Sequence, residues 1–277
     1  MLTTREQQIS DAGFPGLSKL MREARLATWH EDPAMRQLQL FQIQSNLPLL
    51  FFGSILLDRR LIGFDRVLMS SRDCWLWVQL LRALQPTLKA KYDIVYFYTS
   101  RLTRYWPSKD YRKYVDDLLS VKSLVVDLCG FGSSLKALVP NAQILLLIGY
   151  ENCVVESMIR GWIDEASNFA RHPMVADIKN TGEPIYANPT GADWAAIPEI
   201  WVMHEAFLQA VKCVTNHDFS MDLSQDSDII RTMLHDTLYK YYDCPELQRL
   251  SEFRIKEAIM TEGLVASRGP RPDGLIV

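Results

Sequence analysis

The chain has 277 residues, 48% of them hydrophobic and 23% charged, with a net charge of −3. That length suits one large domain or one domain with an appended helical part, and the composition is that of an ordinary globular protein. The mild acidity argues against a general nucleic-acid binder, and five cysteines without a CxxC pair argue against a zinc site and fit reduced thiols in a cytoplasmic protein.

The opening segment, MLTTREQQISDAGF, lacks the apolar core of a signal peptide. Residues 1–62 read as N-terminal helices, with a break or kink near Pro48. Their longest apolar run, Leu47 to Leu57, is too short to span a bilayer, so no transmembrane segment is expected. A cytoplasmic location follows, and a peripheral place at the inner face of a membrane stays open. Residues 63–150 read as alternating strands and helices. FDRVLMSS (Phe64 to Ser71) is a strand, and Asp73 caps the helix after it. YDIVYFYTS (Tyr92 to Ser100) is a second strand, KSLVVDL a third and NAQILLLIGY a fourth. Apolar strands alternating with helices predict an α/β fold with a mainly parallel sheet. Residues 151–277 read as a mostly helical elaboration, interrupted by a turn-rich stretch with short strands. No clean linker divides the chain, so a single domain over 1–277 is expected.

In an open parallel sheet, ligands bind beyond the carboxyl ends of the strands. Three strands here end in polar loops. The first supplies Ser70, Ser71, Arg72 and Asp73. The second supplies Thr99, Ser100, Arg101 and Arg104. The third, VVDLCGFGSS, supplies Asp127, Cys129, Gly130, Gly132, Ser133 and Ser134. Together they match the needs of a phosphorylated sugar. Small residues admit a phosphate to backbone N–H groups, and hydroxyls donate to its oxygens. Arg72 and Arg101 are suited to bidentate phosphate contacts. Asp127 accepts from sugar hydroxyls, and Asp73 is the candidate ligand of Mg²⁺. His172, Glu156, Asp177 and Asn188 are candidates for an acceptor side, although His172 before Pro173 also suits a simple turn.

The order of the loops resembles that of type I phosphoribosyltransferases. LPLLFFGSILLDRRLIGFDRVLMSSRDCWLWVQLL, YDIVYFYTSRLT and LVVDLCGFGSSLKAL also resemble, in order and spacing, a phosphoribosyltransferase-like glycosyltransferase domain of bacterial polysaccharide-assembly proteins. That domain is often found beside a haloacid-dehalogenase-type phosphatase. The resemblance spans roughly Leu47 to Leu138. It implies a Rossmann-like fold of the type I phosphoribosyltransferase kind. It also implies transfer of 5-phosphoribosyl from phosphoribosyl pyrophosphate to a glycan hydroxyl, with the acceptor free or lipid-linked, in ribofuranose-containing polysaccharide biosynthesis. Ser71, Arg72 and Asp73 match its SRD motif, Ser100 and Arg101 its SR motif, and Asp127, Gly132 and Ser133 the acid, glycine and hydroxyl of its third motif. Asp73 and Asp127 are then the catalytic candidates, and Ser71, Arg72, Ser100, Arg101, Gly130, Gly132, Ser133 and Ser134 bind substrate, with Mg²⁺ on Asp73. Cys74 stands where that pattern has glycine, Cys129 and Gly130 replace a Gly–aromatic pair, and the usual second acid of the third loop is missing. No DxDxT-like phosphatase motif occurs, so a separate phosphatase is expected to complete the pathway. A non-catalytic donor-fold subunit that binds a partner in polysaccharide assembly, a nucleotide-sugar transferase, and a structural module with an unused sheet edge remain alternatives.

Overall fold

The computed structural model describes residues 1–163, 165–168, 170–187, 197–239 and 245–267. The chain forms two compact units. One comprises Met1–Gly63, Leu76–Tyr92 and Ile197–Gln248, and the other Phe64–Trp75, Asp93–Ala196 and Arg249–Val277.

The first unit is helical. It contains α1 (Thr4–Asp11), α2 (Pro15–Ala27), α3 (Pro33–Phe41), α4 (Leu47–Arg60), most of α5 (Trp75–Leu84), α9 (Pro198–Cys213), α10 (Ser220–Ser224) and α11 (Ser227–Tyr239). Thr3 opens α1 with a capping box: its hydroxyl accepts from the Glu6 N–H while the Glu6 carboxylate accepts from the Thr3 N–H. Asp222 accepts from the N–H groups of Gly16 (3.0 Å) and Leu17 (2.7 Å), the first turn of α2. The expected break near Pro48 is a π-helical turn, Gln42–Asn46, between α3 and α4. Proline has no N–H to donate back into the preceding turn, and its ring pushes against the carbonyl four residues earlier, so the ladder widens there. The run Pro33–Arg60 has the length and mean hydropathy (1.4) to cross a bilayer, which the shorter apolar run read from the sequence did not. However, 83% of its most apolar window is buried inside the protein, as in a core helix. Phe14 packs edge-on against Phe52 at 4.9 Å, and Phe51 meets Phe219 at 5.2 Å.

The second unit holds a five-stranded, wholly parallel sheet in the order β2-β1-β3-β4-β5, an α/β arrangement compatible with a Rossmann-like fold. The strands are β1 (Arg66–Ser70), β2 (Asp93–Phe97), β3 (Ser123–Gly130), β4 (Gln143–Gly149) and β5 (Glu156–Arg160). The first four lie within the stretches read as strands from the sequence, except that β3 runs two residues further. The fifth extends the sheet past residue 150. Its burial explains why the sequence hid it: ESMIR is an edge strand with one buried residue, Ile159. Leu68, Val125 and Ile144 align across one face and pack against Tyr111 and Val115 of α7 (Lys109–Leu118), Leu135 of α8 (Ser133–Leu138), and Val175 and Ile178 of β6 (Met174–Ile178). β6 pairs antiparallel with β7 (Pro184–Ala187). The short α6 (Arg101–Tyr105) follows β2, and α12 (Gln248–Ser267) closes the described chain. Strand order reverses between β1 and β3, the switch point at whose carboxyl edge ligands of open parallel sheets bind.

Candidate functional site

Each candidate loop leaves that carboxyl edge. Beyond β1 the chain turns at residues 71–74 before α5 begins. Ser71 is buried and stitches two strand ends together: its hydroxyl donates to the Thr99 carbonyl (2.8 Å) and accepts from the Thr99 N–H (3.0 Å). The peptide bond between Ser71 and Arg72 is cis. Arg72 forms a fork with Glu257 of α12, Nη1 to Oε1 at 2.8 Å and Nη2 to Oε2 at 2.5 Å. Burial works against the Arg72 charge, yet the Glu257 carboxylate overcomes it and holds the guanidinium above its usual range. Asp73 is half-buried in the turn. Next to it, the Cys74 thiol points at the Val126 carbonyl (3.9 Å) and is pushed well above the ordinary thiol range, first by burial and then by the negative charges of Asp127 and Asp73. The shift favours the protonated thiol, the less nucleophilic form.

Beyond β2, Ser100 is the N-cap of α6, in a capping box with Thr103. Its hydroxyl also donates to the Val175 carbonyl at 2.5 Å, which fastens this loop to β6. Arg101 projects into solvent and pairs with Glu262 of α12 at 3.0 Å. Arg104, one turn further along α6, points inward instead. Its Nε donates to Thr99 Oγ1 (3.2 Å), its Nη1 to Ser134 Oγ (3.5 Å) and its Nη2 to Asp127 Oδ2 (3.0 Å).

Asp127 sits within β3 rather than on the loop after it, because the strand continues to Gly130. Its Oδ1 accepts from the Leu128 N–H at 3.0 Å, and Oδ2 takes the Arg104 bond. Burial raises its pKa to about 6; Arg104 opposes the rise and Asp73 adds to it. The turn that follows needs glycine. Gly132 has φ +76°, and a Cβ there would lie 2.3 Å from Val155 Cγ2. Gly132 caps α8, Ser133 and Ser134 form its first two positions, and both serines are half-buried. Gly130 and Phe131 hand their carbonyls to the N–H groups of Tyr150 (3.0 Å) and Val154 (2.9 Å), which ties the turn to the loop after β4.

The edge therefore brings Ser71, Arg72, Asp73, Ser100, Asp127, Gly130, Gly132, Ser133 and Ser134 together on three successive strand ends, with Arg101 at the exposed margin. Arg104 is the residue that the sequence undervalued. It sat in the second loop as one arginine among several, and only its place one helical turn after the capping Ser100 marked it as inward-facing. Of the acceptor-side candidates, His172 joins the cluster. Its Nδ1–H donates to the Pro173 carbonyl (2.8 Å), so Nε2 accepts from the Tyr96 hydroxyl (2.8 Å). Burial lowers its pKa to about 4. Asp177 instead accepts from the Ser108 hydroxyl (2.6 Å) at the start of α7, and Glu156 is exposed at the start of β5. Asn188 lies outside the described residues. No group of three or more His, Cys, Asp or Glu among the described residues is placed to hold a metal ion. Mg²⁺ carried on substrate phosphates with one or two carboxylates needs no such group.

No protein-family model matches the chain, and no curated protein matches it.

Proposed function

We propose that this protein is a phosphoribosyltransferase-like glycosyltransferase. In this reading the sheet is of the type I phosphoribosyltransferase kind, and 5-phosphoribosyl passes from phosphoribosyl pyrophosphate to a glycan hydroxyl in polysaccharide biosynthesis, inside the cytoplasm. One observation carries the reading. Arg104 reaches the end of β2 at Thr99, the acid of β3 at Asp127 and the glycine turn at Ser134, so a cation, an acid and an amide-bearing turn meet beside the β1/β3 switch point.

The roles follow from charge. The bond between C1 of ribose and the pyrophosphate oxygen breaks, and positive charge develops on the sugar while negative charge leaves with the pyrophosphate. Arg72 and Arg101, on the first two loops, neutralise the leaving group. Mg²⁺ held with Asp73 supplies further charge neutralisation when bound. Asp127 accepts from the ribose hydroxyls, and the Gly130–Ser134 turn takes the 5-phosphate. The acceptor oxygen bonds to C1 and loses its proton late, once the sugar carries positive charge, to the departing pyrophosphate or to Asp73. A separate phosphatase then removes the 5-phosphate.

Calorimetric titration of phosphoribosyl pyrophosphate with Mg²⁺ into wild type and Asp127→Asn tests this. Binding by wild type that weakens at least tenfold in the variant supports the donor site; no binding by wild type removes it. A second reading, a non-catalytic donor-fold subunit of an assembly complex, draws on the internal partners of Ser71, Arg72 and Ser100. Donor binding without turnover across glycan acceptors favours it.

A further inference from the structure

Two arginines assigned to the leaving pyrophosphate, Arg72 and Arg101, come from different loops, yet carboxylates of a single helix meet both. Glu257 grips Arg72 through two hydrogen bonds of 2.8 and 2.5 Å, and Glu262, further along α12, pairs with Arg101 at 3.0 Å. A carboxylate fork on a guanidinium has the shape of a phosphate contact. The helix thus lays two negative charges across the two cations.

The middle of α12 presents polar side chains inward. A helix fixed by burial turns its apolar stripe inward. In α12 Leu250 (2% exposed) is buried near the start, but from Ile255 to Glu262 the buried positions are Glu257 (4%) and Thr261 (3%), whereas Ile255 (56%), Ile259 (64%) and Met260 (39%) face out. Thr261 donates to its own helix at the Glu257 carbonyl (2.8 Å) and touches Met174 of β6 through sulfur (3.6 Å). Between Ile255 and Glu262 both buried side chains are polar, and the Glu257 carboxylate makes the kind of contact another anion can take over.

We propose that α12 is a displaceable strap over the diphosphate subsite. Glu257 and Glu262 hold the places of two phosphates on Arg72 and Arg101, and an incoming diphosphate takes both arginines and releases the helix. The exchange keeps the largely enclosed Arg72 paired throughout, since phosphate oxygens replace carboxylate oxygens one for one. This rests on the assignment of both arginines to the donor's pyrophosphate, and it adds that the resting protein is self-inhibited.

Inorganic pyrophosphate is the probe, titrated by calorimetry into full-length wild type, Glu262→Gln and Glu257→Gln/Glu262→Gln, with amide hydrogen exchange followed over residues 248–267. The expected result is at least threefold tighter binding by the single variant and at least tenfold by the double variant. Pyrophosphate is also expected to speed amide exchange in wild-type α12. Glu262 is solvent-exposed, so Glu262→Gln folds even if the double variant does not, and that variant with the exchange data then decides. Equal, weaker or absent pyrophosphate binding in the variants, with α12 exchange unchanged, overturns the strap. If phosphoribosyl pyrophosphate binds wild type without changing α12 exchange, the strap fails and the transferase reading stands. If pyrophosphate displaces α12 while phosphoribosyl pyrophosphate binds no better than pyrophosphate, the strap stands and the transferase reading fails.

Discussion

Arg104 donates from Nη2 to Asp127 Oδ2 at 3.0 Å, with both side chains nearly withdrawn from solvent at 12% and 7% exposure. This bond joins α6 to the middle of the sheet and puts the positive end of the pair beside the glycine turn. Removing one partner leaves the other as an uncompensated buried charge. Arg104→Met is therefore expected to cost about 3–5 kcal/mol in urea denaturation. Replacing the pair together, Arg104→Met with Asp127→Leu, is expected to recover most of that loss, since two apolar side chains leave no charge behind. A double variant as unstable as the single one would show that the bonds of Arg104 to Thr99 and Ser134, rather than the ion pair, hold the edge.

The buried acid and the half-buried imidazole of this edge pull stability in opposite directions with pH. Asp127 ordinarily titrates near 3.8 and here near 6, so between those values the folded chain holds a proton that the unfolded chain has lost. Its contribution is present at the acid end and is lost as pH rises from about 4 to 6. His172 ordinarily titrates near 6.5 and here near 4, so in that window the unfolded chain binds the extra proton. Its contribution is present above 6.5 and is lost as pH falls towards 4. Each effect amounts to about 3 kcal/mol at most. Relative to wild type, Asp127→Asn is expected to make stability rise more steeply with pH across this window. His172→Phe is expected to make it fall more steeply. Asp222, also raised to about 6 by burial, keeps the sign of Asp127 and remains in both variants. Urea midpoints at several pH values between 4 and 6.5 read the slopes, and the His172 imidazole proton resonances are expected to stay in their neutral position down to about pH 5. Parallel slopes in all three proteins would refute the opposition.

Much of the second unit was legible because its central strands are apolar on both faces. RVLMS, SLVVDLCG and QILLLIG are buried almost throughout, and such runs are the plainest signal a sequence offers. The edge strand β5 had no such run and was missed. Ser71, Ser100 and Asp127 were legible as polar residues at strand ends. Their engagement was not: each bonds to a residue at least 23 positions away, and single-chain periodicity carries no information about such partners. Glu257 was invisible for the same reason, 185 residues from Arg72. The irregular turn before Pro48 was readable from local chemistry alone.

In the helical unit, Trp77 is fully buried and its indole N–H donates to Ser54 Oγ at 3.0 Å, while the Ser54 hydroxyl donates to the Leu50 carbonyl at 2.7 Å. Ser54→Ala strands the indole N–H away from water, which is expected to cost about 1–3 kcal/mol. Trp77→Phe removes the donor and some volume together. With Ser54→Ala it is expected to cost less than the sum of the two single changes, because the orphaned N–H is gone. Thermal or urea unfolding of the three variants checks this. Additive losses would mean that the hydrogen bond contributes nothing beyond packing.

Gly132 combines two separable demands, and substitutions can take them apart. Its φ of +76° strains any residue with a Cβ, and that Cβ would sit 2.3 Å from Val155 Cγ2. The backbone strain alone is about 1–2 kcal/mol, and the overlap adds to it unless Val155 moves. Gly132→Ala is therefore expected to lower stability by about 2–4 kcal/mol. Adding Val155→Ala removes the obstructing methyls, so the double variant is expected to regain the steric share and keep the conformational one. The turn also carries the proposed 5-phosphate subsite. Donor affinity is thus expected to stay depressed in the double variant even where stability returns, because a strained residue at position 132 re-aims the amides of the turn. Stability by denaturation and donor affinity by calorimetry, measured on the same three proteins, separate the two. If affinity recovers in step with stability, the turn serves the fold alone and the phosphate belongs elsewhere on the edge.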